Sequence, residues 1–224
     1  PHELNASYPT GSDGSGTGTY NWTVANTKYE NCTVTVTSVN DTEVLNVSGT
    51  FHIRPVINVS SPTLSQNIKV LTSYPNLIKW NINVPALVNG VNITYDLNGG
   101  ADNYTRTIAS NIAASLGTTG YTWTLGAADA NVSDNVVIKV VDNQSSAVYG
   151  LSNTFNITGK LAVTEPNGGD NWTVGTNQTV SWSSNNVSGS IKIYYSTTGE
   201  NGTYNYTGTT IPAATGSAII QAPA

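Results

Sequence analysis

Residues 20–53 read YNWTVANTKYENCTVTVTSVNDTEVLNVSGTFHI, and residues 121–157 read YTWTLGAADANVSDNVVIKVVDNQSSAVYGLSNTFNI. Each passage opens on an aromatic-x-Trp-Thr segment, crosses a loop to an alternating strand, and closes on Phe-x-Ile after a second loop. The second passage follows residues 54–120, whereas little precedes the first. Working outward, residues 58–80 (NVSSPTLSQNIKVLTSYPNLIKW) align with 162–182 (AVTEPNGGDNWTVGTNQTVSW), matching Pro62 to Pro166, Val70 to Val174 and Trp80 to Trp182. Residues 91–114 likewise match 190–214, with Asn103-Tyr-Thr and Asn205-Tyr-Thr in step. The offset is 101 at Tyr20/Tyr121, 104 at Phe51/Phe155 and 102 at Trp80/Trp182, a period that marks tandem domains.

The second copy stops at SAIIQAPA, where the first has YTWTLGA, so the sequence opens and closes in mid-domain. The expectation is a complete domain at 55–158, flanked by a second half at 1–54 and a first half at 159–224. Apolar and polar residues alternate in short runs rich in Val, Ile, Thr, Tyr and Trp, and Gly, Asn, Pro or Asp clusters punctuate them. Strands are predicted at 20–25, 31–39, 48–53, 55–60, 66–72, 76–82, 90–96, 103–108, 120–125, 135–142 and 152–158. The third segment repeats the set at 160–165, 171–175, 177–183, 189–196, 204–210 and 216–221, and only 111–116 offers a helical turn. The fold class is all-β: tandem Ig-like β-sandwiches, one complete and two complementary half-domains.

Charged residues make up only 9% of the 224, and the net charge of -5 leaves no basic patch. Nucleic acid and membrane insertion are therefore not expected, since no apolar run is long enough to span a bilayer. Met is absent and Pro1 comes first, which reads as a mature or trimmed product without targeting segments.

Asparagine is the informative residue. With 28 Asn and 54 Ser plus Thr, chance placement gives about seven Asn-x-Ser/Thr triplets. The sequence has sixteen, at Asn5, Asn21, Asn31, Asn40, Asn46, Asn58, Asn92, Asn103, Asn131, Asn143, Asn156, Asn171, Asn177, Asn186, Asn201 and Asn205. Apolar neighbours turn Asn21, Asn92 and Asn156 outward by strand alternation, which is where a glycan needs to be. Dense N-linked glycosylation and an extracellular or cell-surface location are expected.

No catalytic residues, metal ligands or cofactors are predicted. Of the two His, His2 is terminal and His52 reads as an outward strand residue. Asp96, Asp102, Asp134, Asp142, Glu165 and Asp170 lie in or beside loops without the spacing of a carboxylate pair or a Ca²⁺ site, so solvated carboxylates are expected. Cys32 alternates with Val34 and Val36 as Val136 does with Ile138 and Val140, which makes it a small core residue. Trp80 and Trp182, like Trp22 and Trp123, occupy matching core positions.

TEPNGGDNWTVGTNQTVSW followed by GSIKIYYSTTG, residues 164–199, resembles the Ig-like module of the Ser/Thr-rich GPI-anchored cell-wall family and its prokaryotic surface relatives. Residues 121–157 are similar to the ending of that module. The resemblance implies tandem extracellular domains in a structural, wall-associated or adhesive role, with no catalytic residues.

A half sandwich leaves a sheet edge unpaired and an apolar face wet, so something must complete it. Closure within one chain is opposed by the connections 53–56 and 158–161, which reach only about 10 Å at ~3.5 Å per residue. Head-to-tail joining is the expected solution, with residues 1–53 of one subunit completing 159–224 of the next. The expected interface is Trp22, Cys32, Val34, Val36, Val39, Phe51 and Ile53 on the donated side. Val174, Val180, Trp182, Ile191, Ile193 and Ile219 are expected on the receiving side. Such a contact does not close on itself and builds a filament, a homopolymer coated in covalent glycans. Residues 9–19 (PTGSDGSGTGT) read as a flexible linker or loop. The alternatives are a window on a covalent tandem-repeat adhesin or surface-layer protein, and a carbohydrate-binding module using Trp172 or Tyr104.

Overall fold

The computed structural model describes residues 4, 18–126 and 131–222; Asn5 and residues 9–17 of the linker lie outside the described residues. The described chain is all-β, with 3-10 turns as its only helical elements. Among the described residues no helix is long and apolar enough to cross a membrane.

Residues 18–54 form two small antiparallel ladders. Strands β1 (Tyr29–Cys32) and β4 (Phe51–Ile53) pair with each other, as do β2 (Thr35–Thr37) and β3 (Leu45–Val47). No described residue of this segment is buried. Segment 20–25 is not a strand. Its counterpart at Tyr121–Thr124 pairs with the long strand Ser73–Ile82 of its own sheet, and the described part of residues 18–54 contains no such partner.

The middle unit is a two-sheet Ig-like sandwich. One sheet, in the order β10-β7-β5, consists of β5 (Ile57–Ser61), β7 (Ser73–Ile82) and β10 (Tyr121–Thr124). The other runs β6-β13-β11-β8-β9 through β6 (Asn67–Lys69), β8 (Gly90–Asp96), β9 (Arg106–Ala113), β11 (Ser133–Asp142) and β13 (Phe155–Thr158). Strand β12 (Ser145–Leu151) pairs with the far half of β11. Strict alternation sends one face of each strand between the sheets, where Trp80, Tyr95, Trp123, Phe155 and their aliphatic neighbours form a single core.

Strands β12 and β13 run one after the other along β11, as one strand broken in two. At the break the Ser152 N–H donates to the Ile138 carbonyl at 2.8 Å, and Ser152 Oγ accepts from the Ile138 N–H at 2.9 Å. The hydroxyl in turn donates to the Asn153 carbonyl at 2.8 Å, so the interruption leaves no buried backbone group unpaired.

The third unit has the first half of this plan. Strands β14 (Lys160–Glu165), β15 (Asn177–Asn185) and β18 (Ser217–Gln221) form a sheet in the order β14-β15-β18, matching β5-β7-β10. Strands β16 (Ser190–Tyr195) and β17 (Asn205–Pro212) form a hairpin matching β8 and β9. Register repeats as well as order: Val59 faces Trp80 and Val163 faces Trp182. The Trp80 indole N–H donates to the Ala114 carbonyl at 3.1 Å, and that of Trp182 to Ala213 at 2.7 Å.

Segment 171–175, predicted as a strand, is irregular; its counterpart β6 is held by β13, and the third unit has no equivalent of β13. The predicted strand 103–108 starts at Arg106 and runs through Ala113, so the helical turn expected at 111–116 lies instead at Ala114–Gly117. That turn packs on Trp80: a Cβ on Gly117 would lie 2.6 Å from the indole Cδ1.

Candidate functional site

The two halves carry complementary surfaces, and the hairpin side can be compared residue by residue with the middle unit. Adding 104 to every number in residues 29–53 reproduces the pairings of β11 with β12 and β13. Tyr29 faces Ile53 and Cys32 faces Phe51, as Ser133 faces Ile157 and Val136 faces Phe155. Thr35, Val36 and Thr37 face Val47, Asn46 and Leu45, as Lys139, Val140 and Val141 face Leu151, Gly150 and Tyr149. The serine hinge is repeated too. Ser48 Oγ accepts from the Val34 N–H at 2.9 Å and donates to the Gly49 carbonyl, and the Ser48 N–H donates to the Val34 carbonyl at 2.8 Å.

What differs is the surroundings. Val136, Ile138, Val140, Val148, Phe155 and Ile157 are fully covered by the opposite sheet, and their counterparts are Cys32, Val34, Val36, Val44, Phe51 and Ile53. Val140 is 0% exposed and Val36 is 73% exposed. Cys32 is a half-buried free thiol rather than a core residue, because the sheet that would cover it is missing. Trp22 packs edge-on against Phe51 with ring centroids 6.4 Å apart, as Trp123 does against Phe155 at 6.3 Å.

The third unit presents the converse. Val180, Trp182 and Ile220 form a minimal core, with Trp172, Ile191, Ile193 and Ile211 half-buried around it. Between its two sheets lies an open apolar groove of about 730 Å³, lined by Leu161, Val163, Trp172, Trp182, Ile193 and Tyr195 among others. In the middle unit β11 lies beside β8, closing the corresponding space; β16 has a partner, β17, on one side only.

Three expected interface residues are placed differently. Ile219 is 67% exposed and points away from the groove, because alternation along β18 turns its neighbour Ile220 inward. Ile220 lies where Trp123 lies in the middle unit, so the third unit already fills the position that the repeat assigns to Trp22, and the stretch without a counterpart in it is residues 29–53. Val174 is exposed in an irregular segment, whereas Val70, its counterpart, is covered.

Of the described triplets, Asn21, Asn31, Asn40, Asn46, Asn58, Asn103, Asn131, Asn143, Asn171, Asn177, Asn186, Asn201 and Asn205 are exposed. Asn92 and Asn156 are half-buried. Asn156 Nδ2 donates to Asn67 at 2.9 Å and Asn143 Nδ2 to Asn111 at 2.7 Å. At these two sites the nitrogen that would carry a sugar bridges to another strand or turn.

Two of the carboxylates expected to be solvated are buried. Asp142 is covered, and one of its oxygens takes a 2.6 Å ion pair from Lys28, which ties the 18–54 segment to the middle unit. Asp96 is cradled by its own loop, accepting from the backbone N–H groups of Asn98 at 2.8 Å and Asp102 at 2.9 Å. Burial pushes the Asp96 carboxyl up, but the backbone donors of Asn98, Gly100, Tyr104 and Asp102 together hold it below the usual range. Asp-x-Asn-Gly-Gly, residues 96–100, is the sequence signal for such a loop.

His52 is exposed, as expected, and its ring bonds the Glu30 carbonyl. Arg54 clamps the Glu30 carboxylate at 2.5 Å and holds it below the usual carboxylate range. Among the described residues, no three His, Cys, Asp or Glu side chains converge to hold a metal ion. Trp172 is half-buried against the small core and lines the groove, and Tyr104 is half-buried with Lys139 over its ring at 5.3 Å. The outward aromatic pair is Tyr194 and Tyr206, 5.3 Å apart.

No family model matches the chain, and no curated protein matches it. Among solved structures, fibronectin(III)-like modules of Clostridium thermocellum CbhA are similar at 12% identity, covering 75% of this chain and 79% of that one, with a TM-score of 0.24. That likeness is too loose to bear on register or function.

Proposed function

We propose that this chain is a non-catalytic structural subunit of an extracellular, N-glycosylated filament. Subunits join head to tail when residues 29–53 of one enter the groove of 159–224 in the next. The observation that carries this reading is the shared register. Residues 29–53 have the ladder, hinge and apolar face of 133–157, while the third unit has the sheets that such a hairpin covers and lacks the hairpin itself. Exposed apolar surface of this kind is costly in water, and burying each large side chain stabilises by about 2 kcal/mol.

The middle unit predicts the register of the joint. Val140 faces Ile93 and Ile138 faces Tyr95 there. By the repeat, Val36 of the donor faces Ile193 and Val34 faces Tyr195. The resulting contact is heterologous and propagates. The surplus of exposed triplets supports the extracellular assignment, and the likeness of residues 164–199 to wall-associated modules points the same way.

The test is the native mass of the chain as a function of concentration, by light scattering with electron microscopy of the same sample. Unbranched fibres that denaturant returns to single chains are the expected result. A stable monomer at all concentrations, with residues 29–53 unprotected, would overturn the reading in favour of covalent neighbours in a longer tandem array.

A further inference from the structure

We infer that Asn46 is a triplet asparagine at which N-glycosylation and subunit joining exclude each other, so that a glycan there holds the subunit in its unassembled state. The inference rests on the filament reading above. Asn46 is directly paired with Val36, and paired residues project from the same face of a sheet. It therefore lies on the apolar side of the hairpin, together with Val34 and Val36, while Leu45 and Val47 project from the other side. It also heads the triplet Asn46-Val47-Ser48 and is exposed in the subunit.

The middle unit shows what that position meets after closure. Its counterpart, Gly150, is buried against β5. A Cβ there would collide with the Ile57 carbonyl oxygen and lie 2.9 Å from the Ile57 carbonyl carbon. In the third unit Leu161 takes the place of Ile57, as the matching ladders of β5 and β14 show. An unmodified Asn46 side chain requires β14 to yield. Strand β14 is the less covered of the two, with Val163 63% exposed where Val59 is 5% exposed, so fewer packed neighbours oppose a shift. A sugar on Asn46 Nδ2 has no such remedy, because it would have to fit between the hairpin and the first strand of the next subunit. Exposed triplets away from this seam, such as Asn58, Asn143 and Asn201, carry no such conflict.

The experiment uses the full chain in a Cys32→Ser background. Asn46→Cys and Leu45→Cys are each alkylated with an iodoacetamide-linked N-acetylglucosamine, and polymerisation is followed by light scattering. The adduct at 46 is expected to raise the critical concentration at least tenfold, while the adduct at 45 polymerises like unmodified chain. Asn46→Gly, which removes both the triplet and the Cβ, is expected to polymerise at lower concentration than the parent. Equal polymerisation of the two adducts would overturn the inference and leave the filament standing. Failure of every variant, including Asn46→Gly and the unmodified parent, would overturn the filament reading itself and this inference with it.

Discussion

Ser48 and Ser152 make the same three hydrogen bonds, but only the second makes them inside a core. Removing the Ser152 hydroxyl leaves the Ile138 N–H buried and unsatisfied, which costs about 1–3 kcal/mol. The Ser152→Ala variant is therefore expected to lower the unfolding free energy of the middle unit by that amount in urea titration. Ser48→Ala should scarcely change the isolated subunit, where water replaces the lost partner, yet should weaken the polymer measurably. Asp96 makes a pH-dependent contribution. Its carboxyl is held below the ordinary value of 3.8, so its stabilisation is present above that pH and disappears only as pH falls through the lower, folded value. Asp96→Asn is expected to cost about 2 kcal/mol at pH 7. The gap from the parent should begin to narrow only as pH falls below about 3.8, and close further on, as read by denaturant titration in a series from pH 7 downward. Alternation and triplet counting found the asparagines. They did not single out Asn46, which shares the Val34 and Val36 side of its hairpin, although its alignment with Gly150 was visible in the repeat.

Between elements, register is the quantity that can be tested. The strand that donates Val36 also carries Thr35 on its outer face, and Lys139 faces Thr94 in the middle unit. Thr35 of one subunit should therefore face Tyr194 of the next. In a Cys32→Ser background, Thr35→Cys with Tyr194→Cys is expected to give disulfide-linked ladders on a denaturing gel. Thr37→Cys with Tyr194→Cys, two residues out of step, should give few. Equal yields from the two pairs would mean that the joint does not follow the middle unit's register. Elements with a partner were legible from sequence: β5, β7, β8, β11 and β13 fall within a residue or a few of their expected spans. Segments 20–25 and 171–175 failed for one shared reason. A strand is a relation between two chains, and both have patterns suited to pairing without the strand that would pair with them.

For the molecule as a whole, burial is concentrated in one place. The middle unit has a continuous core, the third unit a core of three buried side chains, and the described part of the first unit none. Hydrogen exchange on the monomer should therefore show slow amides within 57–158 and fast ones in 29–53 and 160–221. On the proposed head-to-tail joint, polymerisation should slow the outer two sets together, because each would cover the apolar face of the other. Removing residues 1–54 is expected to leave the middle unit folded, destabilised by the loss of the Lys28 cation from the buried Asp142, and to abolish polymer growth. The repeat near 103 residues, the all-β class and the division into one whole and two halves were determined by the sequence alone, since alternation and spacing are local and recur at each copy. The burial of Asp96 and Asp142, the covering of Gly150 by the Ile57 backbone and the placing of Ile220 where Trp123 lies in the middle unit were decided only by the tertiary structure. These depend on which atoms a neighbouring strand brings close, and no pattern within a single segment records that.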